Sequence, residues 1–143
     1  MKTWTIAVLL TACAFSARGQ EIPEFSAWMK AKDAAVKEVR SLGRPSGPEA
    51  VKNAETLAAV YENMIGFWRQ RNAADAVQWS EEGKAAAVAM ASAAHTGNTE
   101  AAAAAFRKLE SGCKSCHTAY RVRLPNGRYA VRMDSGERSG RKR

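Results

Sequence analysis

The sequence has little from which to build a sheet or a disulfide framework. Among its 143 residues only three are cysteine, four proline and two histidine, and aromatic side chains make up 8%. No long stretch alternates polar and apolar residues, which argues against half-buried strands. No apolar run approaches the roughly 20 residues that a stable membrane anchor needs. Alanine, by contrast, is abundant, and glycine and proline gather at a few sites. Alanine loses almost no side-chain entropy in a helix and lets backbones pack closely, so one all-helical domain is expected.

The first residues read as an export signal. Met1 and Lys2 form a short positive start, Thr5 to Phe15 is mostly apolar, and Ala17-Arg18-Gly19 offers small residues where a signal peptidase reads. Cleavage is expected after Gly19, leaving Gln20 at the N-terminus. The alternative is a lipoprotein signal at Leu10-Thr11-Ala12-Cys13, in which a lipid on Cys13 would hold the protein on a membrane. Removing residues 1–19 leaves Cys113 and Cys116 as the remaining cysteines.

The formal charge of +8 is unevenly placed. Residues 20–119 carry 12 basic and 12 acidic side chains, whereas residues 120–143 carry 8 basic and 2 acidic. The chain therefore divides into a signal peptide (1–19), a neutral helical domain (20–121) and a basic C-terminal hairpin or disordered tail (122–143). Such a tail could touch an acidic partner, a membrane surface or nucleic acid; the simpler reading is a solvated, partly disordered terminus, and no nucleic-acid partner is expected.

Spacing predicts four helices. Phe25, Trp28, Met29, Val36, Val39 and Leu42 share a face of the first, which Gly43 to Pro48 ends. Val51, Ala54, Leu57, Ala58, Tyr61, Ile65 and Trp68 stripe the second. The third, about 75–94, is alanine-rich and the least amphipathic. Asn98 or Thr99 suits a cap for the fourth, where Ala102, Phe106, Leu109, Cys113, Cys116, His117 and Tyr120 line up. Short connections imply an antiparallel up-down-up-down four-helix bundle. Beyond it, Val122, Leu124, Tyr129 and Val131 flank Pro125-Asn126-Gly127, a strong hairpin signal.

Cys113-Lys114-Ser115-Cys116-His117 is a c-type haem attachment motif: two thiols add across two vinyl groups, and the histidine binds the iron. On a helix these three side chains span an arc of about 100°, so they address one porphyrin from one side. A structural zinc needs about four ligands, which two Cys and two His in the exported chain supply poorly, and His95 has no paired metal motif. One covalent haem c is expected.

An export signal, four helices and C-x-x-C-H-x-x-Tyr-Arg near the C-terminus, carried by Cys113, Cys116, His117, Tyr120 and Arg121, resemble the cytochrome c′ family. The resemblance covers about residues 22–121. It implies that the far face of the haem looks at the first helix. There low-spin members offer a methionine to the iron, and five-coordinate members an apolar residue that leaves it open to nitric oxide or carbon monoxide. Met29 stands at the matching position and is the candidate second axial ligand. Five-coordinate relatives often carry an arginine one turn earlier, toward a haem propionate. Phe25 occupies that place here, which leaves Arg121 and Lys32 as candidate propionate partners. The resemblance also implies a periplasmic location, redox partner proteins and dimerisation through the first two helices in many members. The expected function is electron transfer through a His/Met-ligated iron rather than an enzyme's chemistry, since no distal acid/base pair is evident for a peroxidase. The alternative is a five-coordinate gas-binding protein.

Overall fold

The computed structural model describes residues 19–133. The expected signal peptide up to Arg18, the lipidation candidate Cys13 and the tail from Asp134 onward lie outside the described residues. Four helices follow one another: α1 (Pro23–Ser41), α2 (Gly47–Arg69), α3 (Ala74–His95) and α4 (Thr99–Tyr120). Two short strands, β1 (Arg121–Arg123) and β2 (Tyr129–Val131), end the described chain. The fold is an all-α four-helix bundle with a C-terminal hairpin. Among the described residues no helix is long and apolar enough to cross a membrane.

Local chemistry sets the helix ends. Pro23 sits in the first turn of α1, where a missing N–H costs nothing. Asn72, in the turn after α2, takes φ 54°, a left-handed conformation that asparagine tolerates better than most residues. Between α3 and α4, Gly97 takes φ 73° and the Asn98 N–H wraps back to the Ala93 carbonyl at 2.9 Å. The Asn98 side chain then accepts from the Ala101 N–H, so one residue closes α3 and caps α4.

Packing is closest between α2 and α3. The inner face of α3 is built from Ala76, Ser80, Gly83, Ala86, Ala87, Met90 and Ala94, all buried. Small side chains at that spacing bring the two backbones together, so the alanine-rich helix with the weakest amphipathic pattern is the most intimately packed. Gly83 is the tightest point. A Cβ there would lie inside van der Waals contact of the Tyr61 ring, 2.9 Å from its Cδ1. Met64 and Met90 fill the core, 2% and 0% exposed.

One end of the bundle is closed by an aromatic cluster. Phe25 of α1 packs on Phe67 and Trp68 of α2, with ring centroids 4.7 and 5.4 Å apart. Trp68 in turn packs on Tyr120 of α4 at 4.5 Å. The Tyr120 hydroxyl donates to Asp75 at the start of α3, which ties in the fourth helix.

The hairpin pairs Arg121 with Val131, Val122 with Ala130 and Arg123 with Tyr129. Three residues a side would be marginal alone. Here β2 also pairs on its other side with Gln20, whose N–H reaches the Val131 carbonyl at 2.7 Å and whose carbonyl accepts from Val131 at 2.9 Å. Gly19 lies against Val122 and Ala130, where a Cβ would come within 3.0 Å of the Ala130 Cβ.

The crossing at Gly83 makes a sharp prediction. Gly83→Ala overpacks the α2–α3 contact, a cost of about 1–3 kcal/mol, set against roughly 1 kcal/mol gained in helix propensity. Gly66→Ala, at a site with nothing within 4 Å of the new Cβ, brings the propensity gain alone. Urea denaturation should therefore show a lower midpoint for Gly83→Ala and a higher one for Gly66→Ala. Equal shifts in one direction would remove the close approach as an explanation.

Candidate functional site

The last two turns of α4 carry the chemistry. Cys113, Cys116 and His117 are each half-buried, and both thiols are free rather than joined. The Cys113 thiol is directed along its own helix, 3.6 Å from the Leu109 carbonyl. Burial pushes the Cys116 thiol up to about 11; the Cys113 and Asp75 charges add to this and Lys32 opposes it. Burial, then the Arg121 and Lys32 cations, hold the His117 imidazole below its ordinary value. The ring is therefore neutral at pH 7, the form that binds a metal.

These groups face a seam. Helices α1 and α2, α2 and α3, and α3 and α4 pack closely, whereas α1 and α4 make few close approaches. Long side chains cross the gap instead. Arg40 Nε donates to Glu110 Oε1 at 2.8 Å. Lys32 reaches in from α1, its Nζ 4.6 Å from the Tyr61 ring centroid, and it interacts electrostatically with Cys113. Met29 is half-buried against the core, on the inward face of α1 between Phe25 and Lys32. At i and i+3, Met29 and Lys32 point to the same side of the helix.

The donor set fits a covalent haem. Two free thiols and a neutral imidazole share one helix face, beside the α1–α4 seam where the helices make few close approaches. A second observation agrees. The buried Nε1 of Trp68 has no hydrogen-bond partner among the described residues. Its ring lies against Tyr120, in the turn of α4 after His117. A haem brings two propionate carboxylates, which would satisfy such a donor. A zinc site has no such support: among the described residues no group of three or more His, Cys, Asp or Glu comes together. His95 is exposed at the end of α3.

Other residues singled out by sequence have these protein neighbours. Arg121 stacks its guanidinium over the Tyr129 ring at 4.4 Å, so its nearest aromatic partner is the hairpin. Tyr120 is fixed by Trp68 and Asp75. Two residues have surroundings that their sequence positions do not record. Lys32, a candidate propionate partner by the resemblance, is only 7% exposed. Trp68 read simply as core, and its unmet N–H becomes visible only once its neighbours are placed.

The family model described as Cytochrome C′ matches residues 45–121, more than half of the chain, from the start of α2 through the attachment motif. Helix α1, with Met29 and Lys32, lies outside the match. No curated protein and no solved structure gives a significant match.

The raised Cys116 pKa can be read directly in the haem-free chain. Two pKa units lower the thiolate fraction about a hundredfold at neutral pH, and the greater nucleophilicity of the more basic thiolate recovers roughly tenfold. Iodoacetamide should thus modify Cys116 about ten times more slowly than an unstructured peptide thiol, with a rate that still climbs past pH 9. Mass spectrometry of partially alkylated protein checks this; a rate that levels off near pH 9 would contradict it.

Proposed function

The chain belongs to the cytochrome c′ family and is a c-type haem protein, and from that premise we propose that it is an exported, periplasmic electron carrier with one haem. In this reading Cys113 and Cys116 hold haem c through thioethers, His117 binds the iron from α4, and Met29 binds it from α1. The haem supplies one-electron chemistry, cycling between ferrous and ferric iron.

The chain's own residues account for the rest. Two thioethers to one helix face restrain the cofactor even when a ligand bond is weak. The aromatic cluster of Phe25, Phe67, Trp68 and Tyr120 keeps water from that end of the bundle and makes the surroundings of the metal rigid. A rigid, dry setting suits electron transfer, because little has to reorganise when the charge changes. Two axial ligands would leave no open position for a gas. The observation that carries the reading is the position of Met29: it is half-buried on the α1 face that also carries Lys32, the residue that reaches Cys113.

The proposed partner is a redox protein with an acidic face. Arg121, Arg123, Arg128 and Arg132 belong to the hairpin that begins four residues after His117, and residues 121–132 contain no acidic side chain. Glu21 pairs with Arg128, leaving the hairpin cationic. Complementary charge of this kind raises encounter rates and loses its effect as salt increases.

The optical spectrum of the reduced, haem-loaded protein tests the ligation. A low-spin spectrum that carbon monoxide leaves unmoved is expected, and Met29→Ala should convert it to a high-spin spectrum that carbon monoxide shifts. A wild-type protein already high-spin and responsive to carbon monoxide would support the five-coordinate gas-binding reading instead. An unchanged low-spin spectrum in Met29→Ala would remove Met29 from the iron.

A further inference from the structure

Lys32 is a buried cation without a carboxylate. It is 7% exposed, and among the described residues no Asp or Glu lies within ion-pair distance of it. An ammonium so placed is costly unless something nearby compensates it. Its compensation comes from two neighbours. The Tyr61 ring centroid lies 4.6 Å from Nζ, a cation–π contact, and Cys113 on α4 is the second group close enough to act on its charge. Tyr61 is itself held in place, since its ring fills the space left by Gly83. The lysine is therefore not a loose surface chain folded inward. It is gripped by α2 from one side and meets α4 at the first cysteine of the motif.

One of those two partners is consumed when haem is attached. Thioether formation replaces the Cys113 S–H by an S–C bond, with the hydrogen going to the vinyl carbon. The sulfur then no longer carries a proton or a negative charge. The ammonium would keep only Tyr61, too little for a charge at this depth. A haem supplies what is missing: its propionates are anionic, and iron reduction adds a further negative charge to the site.

We propose that Lys32 is a built-in electrostatic regulator of the haem, a buried positive charge that stabilises the reduced state and raises the midpoint potential. This rests on the assignment of a haem to Cys113, Cys116 and His117. It does not depend on whether Met29 is the sixth ligand. The setting keeps the lysine charged: burial works against the ammonium, but Tyr61 and Cys113 outweigh it and hold the pKa above the ordinary lysine value in the haem-free chain. A buried charge acts through a low effective dielectric and is little screened by salt, so a single lysine here outweighs the surface arginines of the hairpin. The role is one of tuning, exerted through the field at the iron and not through a bond to it.

The test is a set of dye-mediated redox titrations on haem-loaded proteins, each with its optical spectrum and intact mass recorded. Lys32→Met keeps the length and removes the charge. Lys32→Gln keeps a polar head near Tyr61 and guards against a packing failure in the first variant. Both should titrate at a lower midpoint potential than the wild type, with the wild-type spectrum, and Lys32→Arg should stay close to the wild type. A neutral variant with the wild-type potential would overturn the proposal. So would an equal fall in Lys32→Arg, which would make packing the cause, or a spectrum showing a lost axial ligand, which would make Lys32 a ligand. Wild-type protein without covalent haem would overturn the parent assignment instead, and intact mass shows which of the two has failed.

Discussion

The crossing of α2 over α3 at Gly83 governs where everything else can go. Because no side chain stands there, the Tyr61 ring packs against the α3 backbone, and it also meets Lys32 of α1, which acts electrostatically on Cys113 of α4. One ring of α2 thus meets α1 and α3, and Lys32 extends the link to α4. At the end of the bundle the Phe25–Trp68–Tyr120 cluster, with Asp75, does the same for the helix termini. Between these two ties the α1–α4 seam remains the one place where neighbouring helices of the bundle do not close on each other. That is the face on which the attachment motif opens.

The charge distribution divides along the same lines. The helical domain is neutral overall and spends its exposed charges on ion pairs such as Arg69 with Glu81 and Lys84 with Glu62. Exposed pairs of this kind contribute little to stability, about 0–1 kcal/mol each, but they leave the domain without a strong field of its own. The field comes from the C-terminal segment. The hairpin is secured to the N-terminal residues by the Gln20–Val131 bridge and the Glu21–Arg128 pair, so its arginines are held in a defined place beside the end of α4. Lys32 belongs to neither group: among the described residues it is the one buried charge.

Much of this was legible in the sequence. Recurrence at three and four residues placed the four helices, Gly43 to Pro48 and the residues around Gly97 marked the breaks, and Asn126-Gly127 marked the hairpin. The spacing of Cys113, Cys116 and His117 set them on one face. The unread parts depended on neighbours distant in the chain. Gln20 joins the hairpin through backbone groups, which no side-chain pattern records. A glycine inside an alanine-rich helix looks like a weak point until Tyr61 is set against it. Lys32 could be named as a candidate propionate partner but not as a buried charge, because burial of a cation is chosen by its surroundings and not by its own polarity. Helix α1 also stands outside the family match, so its role toward the haem had the least support from any pattern.

The central claim is that Cys113 and Cys116 hold haem covalently on α4. The most direct measurement is mass spectrometry of the exported protein after denaturation and cleavage at glutamate, which keeps both cysteines in one peptide of residues 111–137. This peptide is expected to carry the mass of one haem through denaturation, and replacing both cysteines by serine should abolish the adduct. Haem that leaves on denaturation, or that is found on another peptide, would contradict it.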